Sequence, residues 1–197
     1  MLNLIPIYTT AIIIFFSEIG DKTNLIALTL MGKTNRPYLV MLSSLIGIGL
    51  VTLLGVLIGE IAASLFEPSI IAIASGVIFI GFGYFGLKKQ NGDEIKIDPN
   101  SWSVPKIFWR SMLLVGFGEI GDKSQIFVIS QSSIQGALPA FLGAISAFTL
   151  IFLLTAIFGQ QLIKRIPKDK LLKGVSIIFI ILVTYQIFFG ILSYGIL

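Results

Sequence analysis

Two nearly identical stretches of acidic and polar residues interrupt otherwise apolar sequence. The first reads SEIGDKTN (17–24) and the second reads GEIGDKSQ (118–125). From its glutamate onward, each combines two carboxylates with a lysine, a hydroxyl and an amide. An ionised side chain in the middle of a bilayer is costly, must face protein or water rather than lipid, and is by default a candidate functional residue. This doubled motif is therefore the candidate site.

Oxygen atoms are the metal ligands that these motifs can offer. The chain has no cysteine and no histidine, so thiolate and imidazole ligands are excluded and zinc or copper sites are not expected. Carboxylate, hydroxyl and amide oxygens suit hard cations such as Ca²⁺, Mg²⁺ and Mn²⁺. Together the two motifs hold four carboxylates, two hydroxyls and two amides, at Glu18, Asp21, Glu119, Asp122, Thr23, Ser124, Asn24 and Gln125.

The formal charge of the combined motifs matches one divalent ion. Four carboxylates and the two lysines, Lys22 and Lys123, sum to −4 + 2 = −2. A carboxylate can hold a proton or a metal ion, so the two compete for the same site, which is the minimum requirement for exchange. We expect the lysines to act as internal counter-ions that stabilise the site when no metal is bound.

The local geometry depends on whether the helix continues through each motif. Residues three apart share a face of a helix, so we expect Glu18 and Asp21 to point the same way, and Glu119 and Asp122 likewise. Gly20 and Gly121 lie between those acids. Glycine serves either close helix packing or a local helix break that exposes backbone carbonyls to an ion. The sequence leaves both uses open.

The composition is that of an integral membrane protein. Of the 197 residues, 55% are hydrophobic and only 12% are charged, whereas about a quarter of the residues in a soluble domain are charged. The mean hydropathy is +0.96. Six segments meet the length of roughly 20 apolar residues that a spanning helix needs, at about 5–31, 38–63, 69–89, 106–131, 137–161 and 171–195. The predicted fold is an all-α bundle of six transmembrane helices, with each motif near the centre of its span.

Basic residues are confined to alternate loops. Of the 14 lysines and arginines, two belong to the motifs and the other 12 (14 − 2) lie in or beside the loops between spans 1 and 2, 3 and 4, and 5 and 6. By the positive-inside rule those loops are cytoplasmic and both termini lie outside. Membrane topology therefore explains the net charge of +4, which does not indicate nucleic-acid binding.

The chain divides into two copies of a three-span unit. The motifs lie 101 residues apart, and the stretches 49–60 and 77–80 have weaker matches 100 residues later. A unit with an odd number of spans enters the membrane upside down in its second copy. The predicted divisions are a first repeat (1–90), a cytoplasmic linker (91–105) and a second, inverted repeat (106–197). Inverted repeats are typical of secondary transporters, which bind substrate near the midplane where the repeats meet.

Other interpretations use the same residues. The glutamate and lysine of each motif could form an ion pair four residues apart on one helix, with no further role. The protein could also be a passive divalent-cation channel, although no ring of carbonyl-rich filter residues is visible. An intramembrane aspartyl protease is a third alternative, but its G-x-G-D pattern differs from the E-I-G-D of this chain. Gly55 and Gly59 form a G-x-x-x-G pattern, which is typical of a helix contact and offers a face for a homodimer.

The residues resemble a known family. With six spans and E-x-G-D-[KR]-[ST] in the first and fourth, the chain resembles the GDT-type cation/proton antiporters, a second calcium:cation antiporter family. Both motifs match at every position, as EIGDKT (18–23) and EIGDKS (119–124). The family includes Golgi and chloroplast Ca²⁺ and Mn²⁺ transporters and bacterial manganese exporters. The chain looks like a compact prokaryotic member, since it lacks the N-terminal extension and long acidic central loop of many eukaryotic ones.

The resemblance implies a secondary active transporter rather than an enzyme. It assigns the acidic metal ligands to Glu18, Asp21, Glu119 and Asp122. The hydroxyl and amide positions become secondary contacts, although Asn24 is shorter than the glutamine usual in the family. We expect export of Mn²⁺, and next of Ca²⁺, from the cytoplasm in exchange for protons, by alternating access across the plasma membrane of a prokaryote. The ion is the substrate, and no resident cofactor is expected.

Overall fold

Helices make up every regular element in the part of the chain that the structure describes. The computed structural model describes residues 4–87, 102–165 and 184. In chain order its helices are α1 (Leu4–Glu18), α2 (Lys22–Thr34), α3 (Pro37–Leu65), α4 (Pro68–Leu87), α5 (Val104–Glu119), α6 (Lys123–Gln135) and α7 (Ala137–Arg165). The predicted all-α class is confirmed for these residues.

Two of the described helices, α3 and α7, are long and apolar enough to cross a membrane on their own. The pair α1 and α2 forms a third candidate span, with a bend of 70° between its halves. The predicted third span corresponds in position to α4, and the predicted fourth to α5 with α6. The predicted sixth span, 171–195, lies outside the described residues, so the count of six remains a prediction.

The predicted linker (91–105) ends earlier than expected. Its first part lies outside the described residues, and α5 already begins at Val104. The reason is Pro105, which stands in the first turn of α5. Proline has a backbone φ suited to that position and lacks the N–H that would have no partner there.

Each motif interrupts a helix rather than lying on one. Residues 19–21 separate α1 from α2, and residues 120–122 separate α5 from α6. The expectation that the two acids of a motif share a face of one continuous helix is therefore wrong. The cause is the backbone at Gly20 (φ 78°) and Gly121 (φ 77°). Glycine adopts this left-handed conformation readily, and the conformation ends an α-helix. Of the two uses that the sequence left open, both glycines serve the break.

The helices of the two halves correspond in order and length. α2 and α6 each have 13 residues, and α3 and α7 each have 29. Packing between the halves is reciprocal, since α1 packs against α7 while α5 packs against α3. The short helices of each half thus contact the long helix of the other half, and this arrangement brings the two breaks together.

Glycines allow this close packing. Gly47 of α3 contacts the backbone of α5 at Met112 and Gly116, where a Cβ would clash. The predicted helix contact at Gly55 and Gly59 is made inside the chain, because both glycines are buried against α6. This face is therefore not available for the homodimer that the pattern suggested. Elsewhere on α3 many large apolar side chains are exposed, as expected of a surface in contact with lipid.

Candidate metal site

The carboxylates of both motifs meet where the two helix breaks come together. Glu18 is the last residue of α1, and Asp21 and Asp122 are the N-cap residues of α2 and α6. One carboxylate oxygen of each lies within 4.8 Å of the others. We call these three residues the acidic cluster. Glu18 is only 2% exposed, whereas the aspartates are partly exposed, so both halves of the chain contribute acids to one place.

Helix ends favour the placement of the two aspartates. The first N–H groups of a helix carry partial positive charge, which stabilises an anionic side chain at the N-cap. Asp21 accepts a hydrogen bond from the backbone N–H of Lys22 at 2.6 Å. Asp122 makes no capping hydrogen bond, and its Oδ2 lies instead 3.4 Å from the Lys123 ammonium. The two equivalent acids are therefore oriented differently.

The ammonium of Lys123 lies among the three carboxylates of the acidic cluster. Its Nζ is 3.2 Å from Oε1 of Glu18 and 3.4 Å from Oδ2 of Asp122, and it also pairs with Asp21. A primary ammonium has three donors, so one group satisfies all three acids. The local charge is then −3 + 1 = −2.

Lys22, the equivalent residue of the first motif, is exposed and forms no ion pair with any residue that the structure describes. The alternative of ion pairs four residues apart on one helix is wrong, because α1 ends before Lys22 and α5 ends before Lys123. Lys123 pairs with acids of the other motif instead. Of the two predicted counter-ions, the structure brings only Lys123 to the acids.

Glu119 is not one of the three acids whose oxygens lie within 4.8 Å of one another, although it is near enough to Glu18 and Asp122 to interact with their charges. It is 2% exposed, and its Oε2 accepts a hydrogen bond of 2.6 Å from Ser124. Its Oε1 has no hydrogen-bond partner among the described residues, although Thr23 lies close to the same carboxylate. A cavity of about 10 Å³ borders Glu119 and Thr52, which is close to the space that one water molecule needs. Three of the four acids thus form the acidic cluster, and Glu119 lies beside it with its own hydrogen bond to Ser124.

Asn24 and Gln125, the predicted amide contacts, form hydrogen bonds close to the two helix breaks. Asn24 accepts a hydrogen bond of 2.9 Å from Thr155 of α7, which ties the start of α2 to the other half. Gln125 accepts one of 2.5 Å from the backbone N–H of Gly121. Thr155 was not among the predicted site residues, although a hydroxyl inside an apolar span was the available signal. Asn24 and Gln125 therefore have structural partners besides any ion.

Comparison with known proteins agrees with the doubled motif. The family model described as divalent cation/proton antiporter GDT1 matches residues 6–94 and 107–191, so each matched segment contains one motif. No solved structure gave a significant match.

Three relatives cover most of the chain. The PAM71-homolog, chloroplastic, of Arabidopsis thaliana is 29% identical over 210 residues, which are 91% of this chain and 58% of that protein. The GDT1-like protein 2, chloroplastic, of Oryza sativa subsp. japonica is 28% identical over 208 residues, or 91% and 59%. The divalent cation/proton antiporter GDT1 of Saccharomyces cerevisiae is 22% identical over 223 residues, or 87% and 79%. The chain thus spans less than two thirds of the length of the two chloroplastic relatives.

Proposed function

The chain belongs to the GDT1 family of divalent cation/proton antiporters, and on that premise we propose that it exports a divalent cation from the cytoplasm in exchange for protons. Membership of this family makes it a multi-pass membrane protein and not an enzyme. The observation that carries the proposal is the acidic cluster, because its carboxylates come from both halves of the chain and already hold one cationic group, the Lys123 ammonium.

In the proposed binding step the metal ion takes the place of the Lys123 ammonium. Glu18, Asp21 and Asp122 then coordinate it, and Glu119 completes the set. The three carboxylates of the acidic cluster carry −3. A divalent ion offsets more of this charge than the singly charged ammonium does, which favours the exchange electrostatically. Thr23 and Ser124 are proposed as secondary contacts because both lie near Glu119. Asn24 and Gln125 would join only by leaving their present partners.

The proposed transport step is a change of access between two inverted three-helix repeats. The reciprocal packing of α1 with α7 and of α5 with α3 supports this proposal, since repeats related by a two-fold axis contact each other in this way. Such repeats exchange conformations as the site opens to the other side. In the opposite state Lys22 would therefore take over the counter-ion role from Lys123.

Protons complete the cycle. A carboxylate must lose its proton to bind a metal, so metal binding releases protons and an acidic outer side promotes metal release. We propose Mn²⁺ as the first ion, on the resemblance to compact manganese exporters, and Ca²⁺ as the second. Both ions accept oxygen ligands of this kind. We also propose the plasma membrane of a prokaryote as the location, with both termini outside, on the distribution of basic residues and the resemblance to compact manganese exporters.

Flux measurements in liposomes test this function. The protein is reconstituted with a metal-sensitive dye inside, and Mn²⁺ or Ca²⁺ is added with or without a pH gradient. We expect flux that depends on the gradient, and flux that is lost in Glu18→Gln and Glu119→Gln. Glu60→Gln is the matched control, because Glu60 is exposed on α3 and should leave flux unchanged.

The same assay separates the alternatives. Metal flux that ignores the pH gradient would contradict exchange and favour a channel. Flux that survives both substitutions would contradict the assigned ligands. The protease alternative is already disfavoured by the family, and also by the Lys123 ammonium between Asp21 and Asp122, where two catalytic aspartates would share a proton.

A further inference from the structure

The C-terminal half of α6 is far more polar than its counterpart in the first repeat. Four consecutive residues, 130–133, read SQSS, and all four are buried. The equivalent residues of α2, 101 positions earlier, are Thr29, Leu30, Met31 and Gly32. Leu30 and Met31 belong to the hydrophobic core. The two half-helices share a length and a motif but differ sharply in this buried stretch.

The serine hydroxyls of this stretch have clear structural roles. Ser130 is hydrogen-bonded to Ser75 of α4 at 2.9 Å. Ser132 donates to the carbonyl of Val56 at 2.9 Å, and Ser133 donates to that of Gly59 at 2.7 Å. These bonds fasten α6 to α3 and α4, so the serines need no further explanation.

Gln131 has no such partner. Its side chain is completely buried, and neither its amide nitrogen nor its amide oxygen has a hydrogen-bond partner among the described residues. The Oε1 of Gln135, one turn further along, is also buried without a partner there. A buried amide without hydrogen bonds is unfavourable, and in native proteins such a group commonly marks bound water, an ion or a functional role. Polar groups inside a membrane bundle often mark an ion pathway.

Helical spacing joins these amides to the metal site. At 3.6 residues per turn, Ser124, Gln131 and Gln135 lie on one face of α6. Ser124 donates to the carboxylate of Glu119. Along the helix axis, Gln131 lies about 10 Å from Ser124, and Gln135 lies about 6 Å beyond Gln131. The whole distance is about half the thickness of a hydrocarbon core. The face therefore runs from the site to the end of α6.

One apolar turn interrupts this polar face. Phe127 and Val128 lie between Ser124 and Gln131, and each is only 1% exposed. Val128 also lines the small cavity beside Glu119. In this conformation the turn separates Glu119 from Gln131, so the polar positions on either side of it are not continuous.

We propose that this face of α6 is the route by which a hydrated divalent cation passes between Glu119 and the α6–α7 connection, with Gln131 as an amide contact on the way and with Phe127 and Val128 as the closed turn. An amide oxygen is a suitable ligand for a hard cation. The expected topology puts the α6–α7 connection outside, which makes this the exit route. The inference rests on the proposed transport function and adds the path and the residue to it.

The absence of cysteine from the whole chain permits a direct accessibility test. Gln131→Cys and Leu30→Cys each introduce a single thiol at equivalent, completely buried positions of the two repeats. Full-length protein in liposomes is driven with Mn²⁺ and a pH gradient, and a membrane-impermeant trimethylammonium methanethiosulfonate is added. With the reagent added on the side of the α6–α7 connection, we expect the thiol of Gln131→Cys to react at least about tenfold faster, because only that position opens toward that side. Equal rates would overturn the proposal.

A second pair of variants tests the amide itself. Gln131→Leu gives α6 the residue of the first repeat, and Gln131→Asn keeps an amide. We expect Gln131→Leu to bind Mn²⁺ in detergent as the wild type does but to transport it at least about tenfold more slowly, and Gln131→Asn to retain most of the flux. Thermal unfolding checks that both variants are folded.

The outcomes separate the two proposals. If the wild-type protein moves Mn²⁺ and Gln131→Leu moves it equally fast, the route is overturned but the transport function is not. Wild-type protein that neither binds nor moves Mn²⁺ or Ca²⁺ would overturn the transport function and the route with it. A loss of Mn²⁺ binding in folded Gln131→Leu would also contradict the route, because it would make Gln131 part of the binding site.

Discussion

The ammonium nitrogen of Lys123, at the start of α6, lies 3.2 Å from the carboxylate of Glu18, at the end of α1. Glu18 is almost completely buried, and a buried charge requires a partner to offset its lost hydration. The lysine of the second motif therefore neutralises an acid of the first. This pair joins the two halves of the chain at the point where the proposed metal ion binds.

Replacement of Lys123 should therefore destabilise the metal-free protein and increase the stabilisation that added Mn²⁺ provides. Lys123→Gln leaves three carboxylates without their shared cation. We expect the free energy of unfolding to fall by about 1–3 kcal/mol, which is less than for a fully buried pair. Added Mn²⁺ should restore stability, since it supplies the missing positive charge. Thermal unfolding with and without Mn²⁺ measures both effects.

Lys22→Gln is the matched control for that prediction, because Lys22 is the equivalent residue and is exposed. It should change the unfolding temperature little. A larger loss in Lys22→Gln than in Lys123→Gln, or a smaller Mn²⁺ effect in Lys123→Gln than in the wild type, would contradict the role given to the ammonium.

Loss of the Ser124 hydroxyl should weaken the protein around Glu119. Ser124→Ala removes the 2.6 Å hydrogen bond to Oε2 and leaves a buried carboxylate without that donor, at a cost of about 1–3 kcal/mol. Ser43→Ala is the control, since Ser43 is equally buried but its hydroxyl donates only to carbonyls of its own helix. Chemical or thermal unfolding should show a clear loss only for Ser124→Ala, and Ser124→Thr should recover it. Equal losses in the two alanine variants would refute this.

Alanine in the second helix break should destabilise the protein through the backbone alone. Among the described residues, no atom beyond the two chain neighbours lies within 4 Å of a Cβ built on Gly121, and its φ is 77°. Gly121→Ala should therefore cost about 1–2 kcal/mol of conformational strain. Gly32 also has open space at this position but lies inside α2 with an ordinary helical backbone. Gly32→Ala should therefore be neutral or stabilising, by up to about 1 kcal/mol. Unfolding temperatures that shift in the same direction for both variants would contradict the assignment of the break.

Metal affinity should fall as the pH falls. The carboxylates of Glu18, Asp21, Glu119 and Asp122 must be deprotonated to bind a metal ion, so protons compete with the ion and binding releases them. Titration calorimetry with Mn²⁺ in two buffers of different ionisation enthalpy measures the number of protons released. Binding without proton release, or affinity that rises toward acidic pH, would argue against these carboxylates as the coupling site.

Much of the chemistry follows from the sequence because it depends on residue type and local pattern. Apolar runs of sufficient length predict helices in a membrane, and the lack of cysteine and histidine limits metal ligands to oxygen. The recurrence of the motif after 101 residues indicates a duplicated unit, which the corresponding lengths of α2 with α6 and of α3 with α7 match. None of these inferences requires knowledge of which residues meet in space.

The helix breaks could not be predicted in the same way. A glycine in an apolar span allows either close packing or a left-handed backbone, and its neighbours in sequence do not choose between them. The packing of α1 on α7 and of α5 on α3 is what brings the two breaks together. Gln131 likewise appears in the sequence as one polar residue among several, and only the packing shows that its buried amide has no hydrogen-bond partner in the described part of the chain.

The pentapeptide EIGDK occurs twice, at 18–22 and 119–123, and this repetition marks what the sequence by itself determined: two copies of one set of oxygen-bearing side chains, which predict a site for a hard cation. The tertiary structure decided how the copies differ. Glu18 belongs to the acidic cluster while Glu119 does not, and Lys123 pairs with three acids while Lys22 is exposed. Identical local sequences cannot encode this difference, because it arises from the side chains that each copy meets across the interface between the two halves.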